Sequence, residues 1–304
     1  MSLLEEVRAG CAQIAAQAQC VRIDEDALAG GPLAEIAAPA APGGSASALD
    51  PVRHYVEGEP ADVADYLLAL DAVNFGSGWF PTLRKRLDAG HPVSGYFTVA
   101  WALADHVRAE GPPTAAWLRA VNTRKLARIL DQPPDHELMS LYAQGLRELG
   151  RFLGERRALD VVAQCGGSAE RLAEQLAQGM AMFDDRDFYK RAQIVATDLA
   201  LAGVASFADL DRLTIFADNL VPHVLRCEGV LLYDESLAAR IDAGELLQLG
   251  GAEREIRACA VHACELLSVR TGIPPRVLDN CLWNHGQAPK YKARPRHRCR
   301  CVYY

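Results

Sequence analysis

The chain is short of most of the features that mark the common functional classes. No apolar run is long enough to span a bilayer. The N-terminus, Met1-Ser2-Leu3-Leu4-Glu5-Glu6, carries acid where a secretory signal carries base. A cytoplasmic location is the expectation. Positive charge is in deficit, with a formal net charge of −7, which argues against broad binding to nucleic acid or anionic membrane. A local basic pocket for a phosphate is still compatible with that balance. The chain has no Gly-x-Gly-x-x-Gly, Walker loop, His-Glu-x-x-His or Gly-x-Ser-x-Gly. Dinucleotide binding, nucleotide hydrolysis, zinc proteolysis and esterase chemistry therefore lack support. The nine cysteines are odd in number and scattered through helical patterns, as expected of reduced, buried thiols rather than a disulfide framework. His297, Cys299 and Cys301 lack the spacing of a structural zinc site.

Half of the 304 residues are hydrophobic, so the chain can build a sizeable core. Apolar residues recur at helical intervals over most of its length, and alternating runs are absent. The fold class expected is all-α, a compact multi-helix fold with few or no strands. The spacing predicts helices at 3–20, 61–74, 97–110, 114–130, 133–153, 168–182, 190–201, 252–270 and 275–284, and another within 229–249. Residues 30–51 are dense in Ala, Gly, Pro and Ser and read as a connection. The division expected is 1–52, an N-terminal helix and connection, and 53–304, one continuous helical catalytic domain. The ending Val302-Tyr303-Tyr304 is expected to be tied down.

The stretch from 210 to 226 draws most attention. Leu210, Leu213, Thr214 and Ala217 recur at helical spacing after Ser206, a candidate N-cap, and Pro222 should end or redirect the helix. That puts Asp218 near a helix C-terminus, where the dipole disfavours a carboxylate. It either caps the following turn or is a partly desolvated catalytic or ligand-binding group. Periodicity leaves both open. Asp71 and Asn74 border the apolar stripe of the 61–74 helix one turn apart. Phe75 opens an aromatic, glycine-rich loop running to Pro81. Lys190 and Arg191, two bases near a helix start, suggest a nearby anion.

Four stretches together resemble the queuosine salvage protein family: Tyr66 to Phe75, Leu213-Thr214-Ile215-Phe216-Ala217-Asp218, Glu255 to Glu265, and His297-Arg298 to Tyr303-Tyr304. The resemblance implies a fold similar to helix-hairpin-helix DNA glycosylases. It also implies hydrolysis of queuosine 5′-monophosphate to queuine and ribose 5-phosphate, serving salvage of queuine for tRNA modification. Two departures stand out. The family's Tyr-Arg-Val-Pro-Gln after Phe-Ala-Asp is replaced by Asn219-Leu220-Val221-Pro222-His223, and the loop after Phe75 is longer and richer in glycine.

Such a substrate needs three kinds of partner. Its phosphate suits Lys190, Arg191 or Arg298, with Lys290 behind them. Its flat 7-deazapurine suits the rings of Phe75, Trp79, Tyr233 or Trp283, with Asp71 and Asn74 at the base edge. Its secondary amine suits an acidic wall. His54 and Glu255 complete the binding set, and Asp218 is the expected catalytic residue, stabilising an oxocarbenium-like sugar and aiming a water. No metal or organic cofactor is called for. The expected partners are a small nucleotide and its base, without direct nucleic acid or membrane contact. The alternatives are a DNA repair glycosylase of helix-hairpin-helix type and a non-catalytic helical protein that binds queuine or a nucleoside.

Overall fold

A computed structural model of the chain describes residues 1–29 and 49–304. The connection expected at 30–51 lies outside the described residues except for positions 49–51. Helices dominate. Among the described residues, strands are confined to three pairs of two or three residues each, so the all-α expectation holds. No described helix is long and apolar enough to cross a membrane, and all nine cysteines are free thiols.

The described residues fall into two compact units. The first comprises 1–29, 186–190 and 211–301. Its axis is the helix Ala252–Thr271, which begins after Gly251 and ends at Gly272, both at positive φ. Ile256, Ala260, Ala263 and Leu267 form the buried face expected from their spacing. Helix Leu3–Gln17 lies against it, held by Leu4, Val7 and Cys11 in the core and by a half-buried Arg8–Glu265 ion pair at 2.9 Å. Ser2 and Glu5 close a capping box at its start. Strand Val21–Ile23 pairs antiparallel with Leu231–Tyr233, and Leu246–Leu247 pairs parallel with Arg298–Cys299. Helices Val221–Cys227, Glu235–Asp242 and Pro275–His285 complete the unit.

The second unit comprises 49–185, 191–210 and 302–304. Helix Pro60–Ala72 is its centre, packed by Gly95–Glu110, Glu137–Leu153 and Ala158–Gln164. Gly145 lets helix Glu137–Leu153 approach closely: a Cβ there would lie 2.8 Å from the Ala72 carbonyl oxygen. The helix expected over 114–130 is two, Ala115–Ala120 and Thr123–Ile129. Asn122 is extended and its side chain accepts from Lys125 N at 2.9 Å, so a new N-cap interrupts the apolar stripe. The C-terminus is tied down as expected: Gly76 and Ser77 N–H groups both donate to the Tyr304 carbonyl, and Tyr304 is buried.

Candidate active site

The helix expected to lead into Asp218 does not form. Leu210–Arg212 is a single 3₁₀ turn, and residues 213–218 have no regular structure. Pro222 stands in the first turn of helix Val221–Cys227, where its missing N–H costs nothing. Asp218 thus precedes a helix N-terminus instead of following a C-terminus, and the dipole favours its charge. Its Oδ1 accepts the N–H groups of Leu220 (2.7 Å) and Val221 (3.0 Å). Oδ2 takes no hydrogen bond among the described residues, and the side chain is half-buried. The turn-capping reading and an available carboxylate oxygen are therefore both realised in one residue.

Several buried groups of the first unit fix the backbone on either side of it. Asp279 Oδ1 accepts Phe216 N–H at 2.8 Å. Arg257 Nε donates to the Ala217 carbonyl at 2.8 Å. Asn219, at the first position of departure from the family pattern, donates from Nδ2 to the His297 carbonyl at 3.2 Å. Arg257 is 1 % exposed, stacks 3.9 Å over the Phe188 ring and faces Glu253 at 3.7 Å. The segment carrying Phe188 is strained, with Asp187 at φ 78° and Tyr189 at φ 50°. Two non-glycine residues in the left-handed region within three positions cluster where surrounding structure holds them, and functional sites are where such strain collects. Lys190, next in the chain, is buried.

Burial lowers the pKa of half-buried Arg296, and the Asp218 carboxylate opposes that shift, so the two charges interact. Buried His297 is pushed down to about 3, by burial first and then by Arg257, His223 and the neighbouring arginines. His223 is pushed down to about 4, chiefly by burial, while its Nε2 contacts the Tyr291 carbonyl at 2.9 Å. Both imidazoles are neutral at pH 7.

The second unit gathers His54, Asp71, Asn74, Phe75 and Arg191. Asp71 is fully buried near the end of helix Pro60–Ala72, and Asn74 Nδ2 lies 3.4 Å from its Oδ1. Arg191, also buried, donates from Nη1 to the carbonyls of Asp71 (3.2 Å) and Ala72 (2.9 Å). Its Nη2 donates to those of Met182 and Val302. A cation thus sits at the carbonyl end of helix Pro60–Ala72, where the dipole favours positive charge, and the rings of Phe75 and Phe183 flank it. His54 contacts the Asp50 carbonyl and the Tyr96 hydroxyl, both at 3.0 Å, and burial lowers its pKa. Burial also pushes the Tyr96 hydroxyl well above its ordinary range, and the charges of Asp198 and Asp71 add to the shift. Trp79 donates to Glu137 at 2.6 Å.

The remaining sequence candidates lie in the first unit. Glu255 accepts the N–H groups of Gln19 (3.0 Å) and Cys20 (2.7 Å) and so holds the entry to strand Val21–Ile23. Tyr233 pairs with Val21 in that sheet, with Arg226 4.8 Å over its ring, and its buried hydroxyl has no hydrogen-bond partner among the described residues. Arg298 donates to the Gly244 carbonyl at 2.6 Å. Trp283 is half-buried on helix Pro275–His285. Lys290 is turned to Glu228 at 2.7 Å. No group of three or more metal-ligating side chains occurs among the described residues.

Sequence reasoning missed Arg257, Asp279, Arg296, Tyr96 and Asp198. Arg257 had a signal: a lone arginine amid Ile256, Ala258, Cys259 and Ala260, all buried, must find a partner. Asp279 and Tyr96 had none, because their partners are distant in the chain.

The arrangement defines a helical protein that presents a backbone-clamped carboxylate, with buried arginines and aromatic rings around it. More particularly, the chain belongs to the queuosine salvage protein family, whose model matches residues 53–304. The queuosine 5′-phosphate N-glycosylase/hydrolase of Sphaerobacter thermophilus is 34% identical over 314 residues, covering 96% of this chain and 95% of that one. The mouse protein of the same name is 28% identical over 71% of this chain and 73% of its own length. The Bos taurus protein is 28% identical over 79% and 81%.

Proposed function

We propose that this protein hydrolyses the N-glycosidic bond of queuosine 5′-monophosphate, releasing queuine and ribose 5-phosphate. What carries the reading, beyond family membership, is Asp218, with one oxygen held by two backbone N–H groups and the other open. In a 7-deazapurine the ring position that purines protonate to leave is carbon. Catalysis therefore rests on stabilising the cationic sugar and directing water at it. A carboxylate clamped through one oxygen at a helix N-terminus is held in one orientation, with its second oxygen left open. The oxygen of water joins the sugar's C1′, one of its protons passes to Asp218, and the base departs with the electron pair of the broken bond and is then protonated.

Within the first unit we assign the phosphate to Lys190, buried beside the strained Asp187–Tyr189 turn, and to Arg296, whose charge interacts with Asp218. Arg191 is assigned a packing role. Asp71 and Asn74 are assigned the donor edge of the base, and Phe75 its neighbourhood. The matched span 53–304 is taken as the catalytic segment. We place the reaction in the cytoplasm, with no cofactor.

Incubation with queuosine 5′-monophosphate followed by chromatography tests the reading. The expected result is queuine and ribose 5-phosphate in equal amounts, unchanged by EDTA. Intact nucleotide after prolonged incubation overturns it.

A further inference from the structure

The second unit carries a cleft that the reaction does not use. Residues 80–132 carry eight Lys and Arg against four Asp and Glu, in a chain whose totals are 32 against 39. Three of these bases, Arg84, Lys85 and Arg86, line a cleft of about 400 Å³ together with Asp105 and Asp131, a volume in the size range of small-ligand sites. One wall is the run Arg84-Lys85-Arg86, the other is helix Gly95–Glu110 through Thr98, Asp105 and His106, and the floor is Ile129 to Gln132.

The basic wall is built, not merely exposed. Buried Gln132 accepts Arg84 N–H at 2.9 Å and donates to the Arg84 carbonyl at 2.8 Å, pinning that residue's backbone on both sides. Thr98 Oγ1 lies 3.2 Å from Arg86 N, and the Arg86 guanidinium stacks 3.9 Å over Trp101. Two carboxylates face the arginines: Asp131 meets Arg84 at 3.0 Å and Asp105 meets Arg86 at 2.7 Å. The Arg84–Asp131 pair is open to solvent, with side chains 61% and 84% exposed, so it is worth little and yields readily to a stronger anion. Basic and aromatic groups continue past the rim. His106 lies 5.6 Å from the Trp117 ring, and Lys125 lies 4.9 Å over the same ring. Lys125 is one helical turn from Ile129 on the floor, and exposed Arg124 and Arg128 flank it.

We propose that this cleft binds a phosphate-bearing nucleotide unit, its phosphate held by Arg84 and Lys85 and its ring lying toward Trp117. Paired cations on a fixed backbone suit a phosphate dianion, and interleaved rings suit a flat base. The cleft uses a different face of helix Gly95–Glu110 from Tyr96, which contacts His54, so it is separate from the groups assigned to the reaction. The same chemistry is offered by a free mononucleotide and by one residue of an RNA strand. Two probes distinguish them.

The test titrates the full chain with guanosine 5′-monophosphate by calorimetry, and with a labelled single-stranded RNA by fluorescence anisotropy. The double variant Arg84→Glu/Lys85→Glu and the single variant Lys125→Glu are run beside it. Saturable binding of at least one probe is expected, weakened by about tenfold or more in the double variant as two charge-assisted contacts are lost. A smaller loss is expected in Lys125→Glu. Queuine release should be unchanged in both variants, which shows that they fold and separates this site from the catalytic one. Preference for the mononucleotide identifies a free ligand. Preference for RNA, with affinity falling as salt rises, identifies a strand. Binding of neither probe, or binding that the double variant leaves intact, overturns the proposal.

Discussion

Asp71 and Asp218 are carboxylates held by opposite devices. Asp71 is fully buried one residue before the end of helix Pro60–Ala72, where the dipole opposes its charge. The compensating feature is Arg191, whose guanidinium caps the helix-end carbonyls of Asp71 and Ala72. Asp218 is half-buried just before the helix Val221–Cys227, where dipole and N–H groups favour its charge directly. Burial alone does not mark a reactive group. Asp71 is set into a packed wall, suited to recognition, while Asp218 keeps one oxygen open and its charge supported, suited to chemistry.

Removing one charge at a time separates the two carboxylates. Asp218→Asn should lower turnover by roughly 10³-fold, the scale of losing a preorganised electrostatic partner. Steady-state release of queuine measures it. Asp71→Asn should act mainly on KM, because the base-edge role proposed for Asp71 contributes to binding before and during reaction alike. Equal losses of kcat in the two variants would erase the distinction.

Arg191→Met tests the support of the Asp71 wall. Stranding several buried carbonyls should cost about 3 kcal/mol of unfolding free energy, read as a shift of the urea midpoint. Acid tests the first unit. His223 and His297 have native pKa values lowered to about 4 and about 3 from 6.5. Above pH 6.5 both are neutral, folded or unfolded, and contribute nothing. As pH falls below 6.5 the unfolded chain takes protons that the native state refuses, and stability drops until the native values are passed. Each histidine contributes up to about 1.4 kcal/mol per pH unit in that window. His54, lowered by burial in the second unit, acts in the same sense. Urea titrations from pH 7 to 5 should therefore show falling stability, with a shallower slope in His223→Gln. The smallest effect separates the two roles of Asp218. Asp218→Ala should cost about 1 kcal/mol of stability for the lost cap, and Asp218→Asn only a few tenths, because asparagine caps equally well.

The long helices were legible because their signal is local. Ala252–Thr271 and Pro60–Ala72 show apolar periodicity with glycine or proline at an end, and their bounds fall close to those expected. The helix before Asp218 was misread because Pro222 is an ambiguous mark. It ends a helix behind it or opens one ahead of it, and only context decides. That context is Asp279, 63 positions away, which takes the Phe216 N–H outside any helix. Two adjacent bases at a helix start point to an external anion, while the Arg191 guanidinium also donates to carbonyls as many as 120 positions distant. Residue types were legible at the candidate site. Long-range hydrogen bonds decide which basic groups remain available, and those have no local signature.

The most direct measurement is the affinity of the Asp218→Asn protein for intact queuosine 5′-monophosphate, by calorimetry with the nucleotide recovered afterwards. Tight binding, within a few-fold of the wild-type KM, with the nucleotide returned uncleaved, is the result expected if Asp218 acts on the departing base's sugar and not on the bound ground state. Loss of binding, or recovery of queuine at the wild-type rate, would contradict that role.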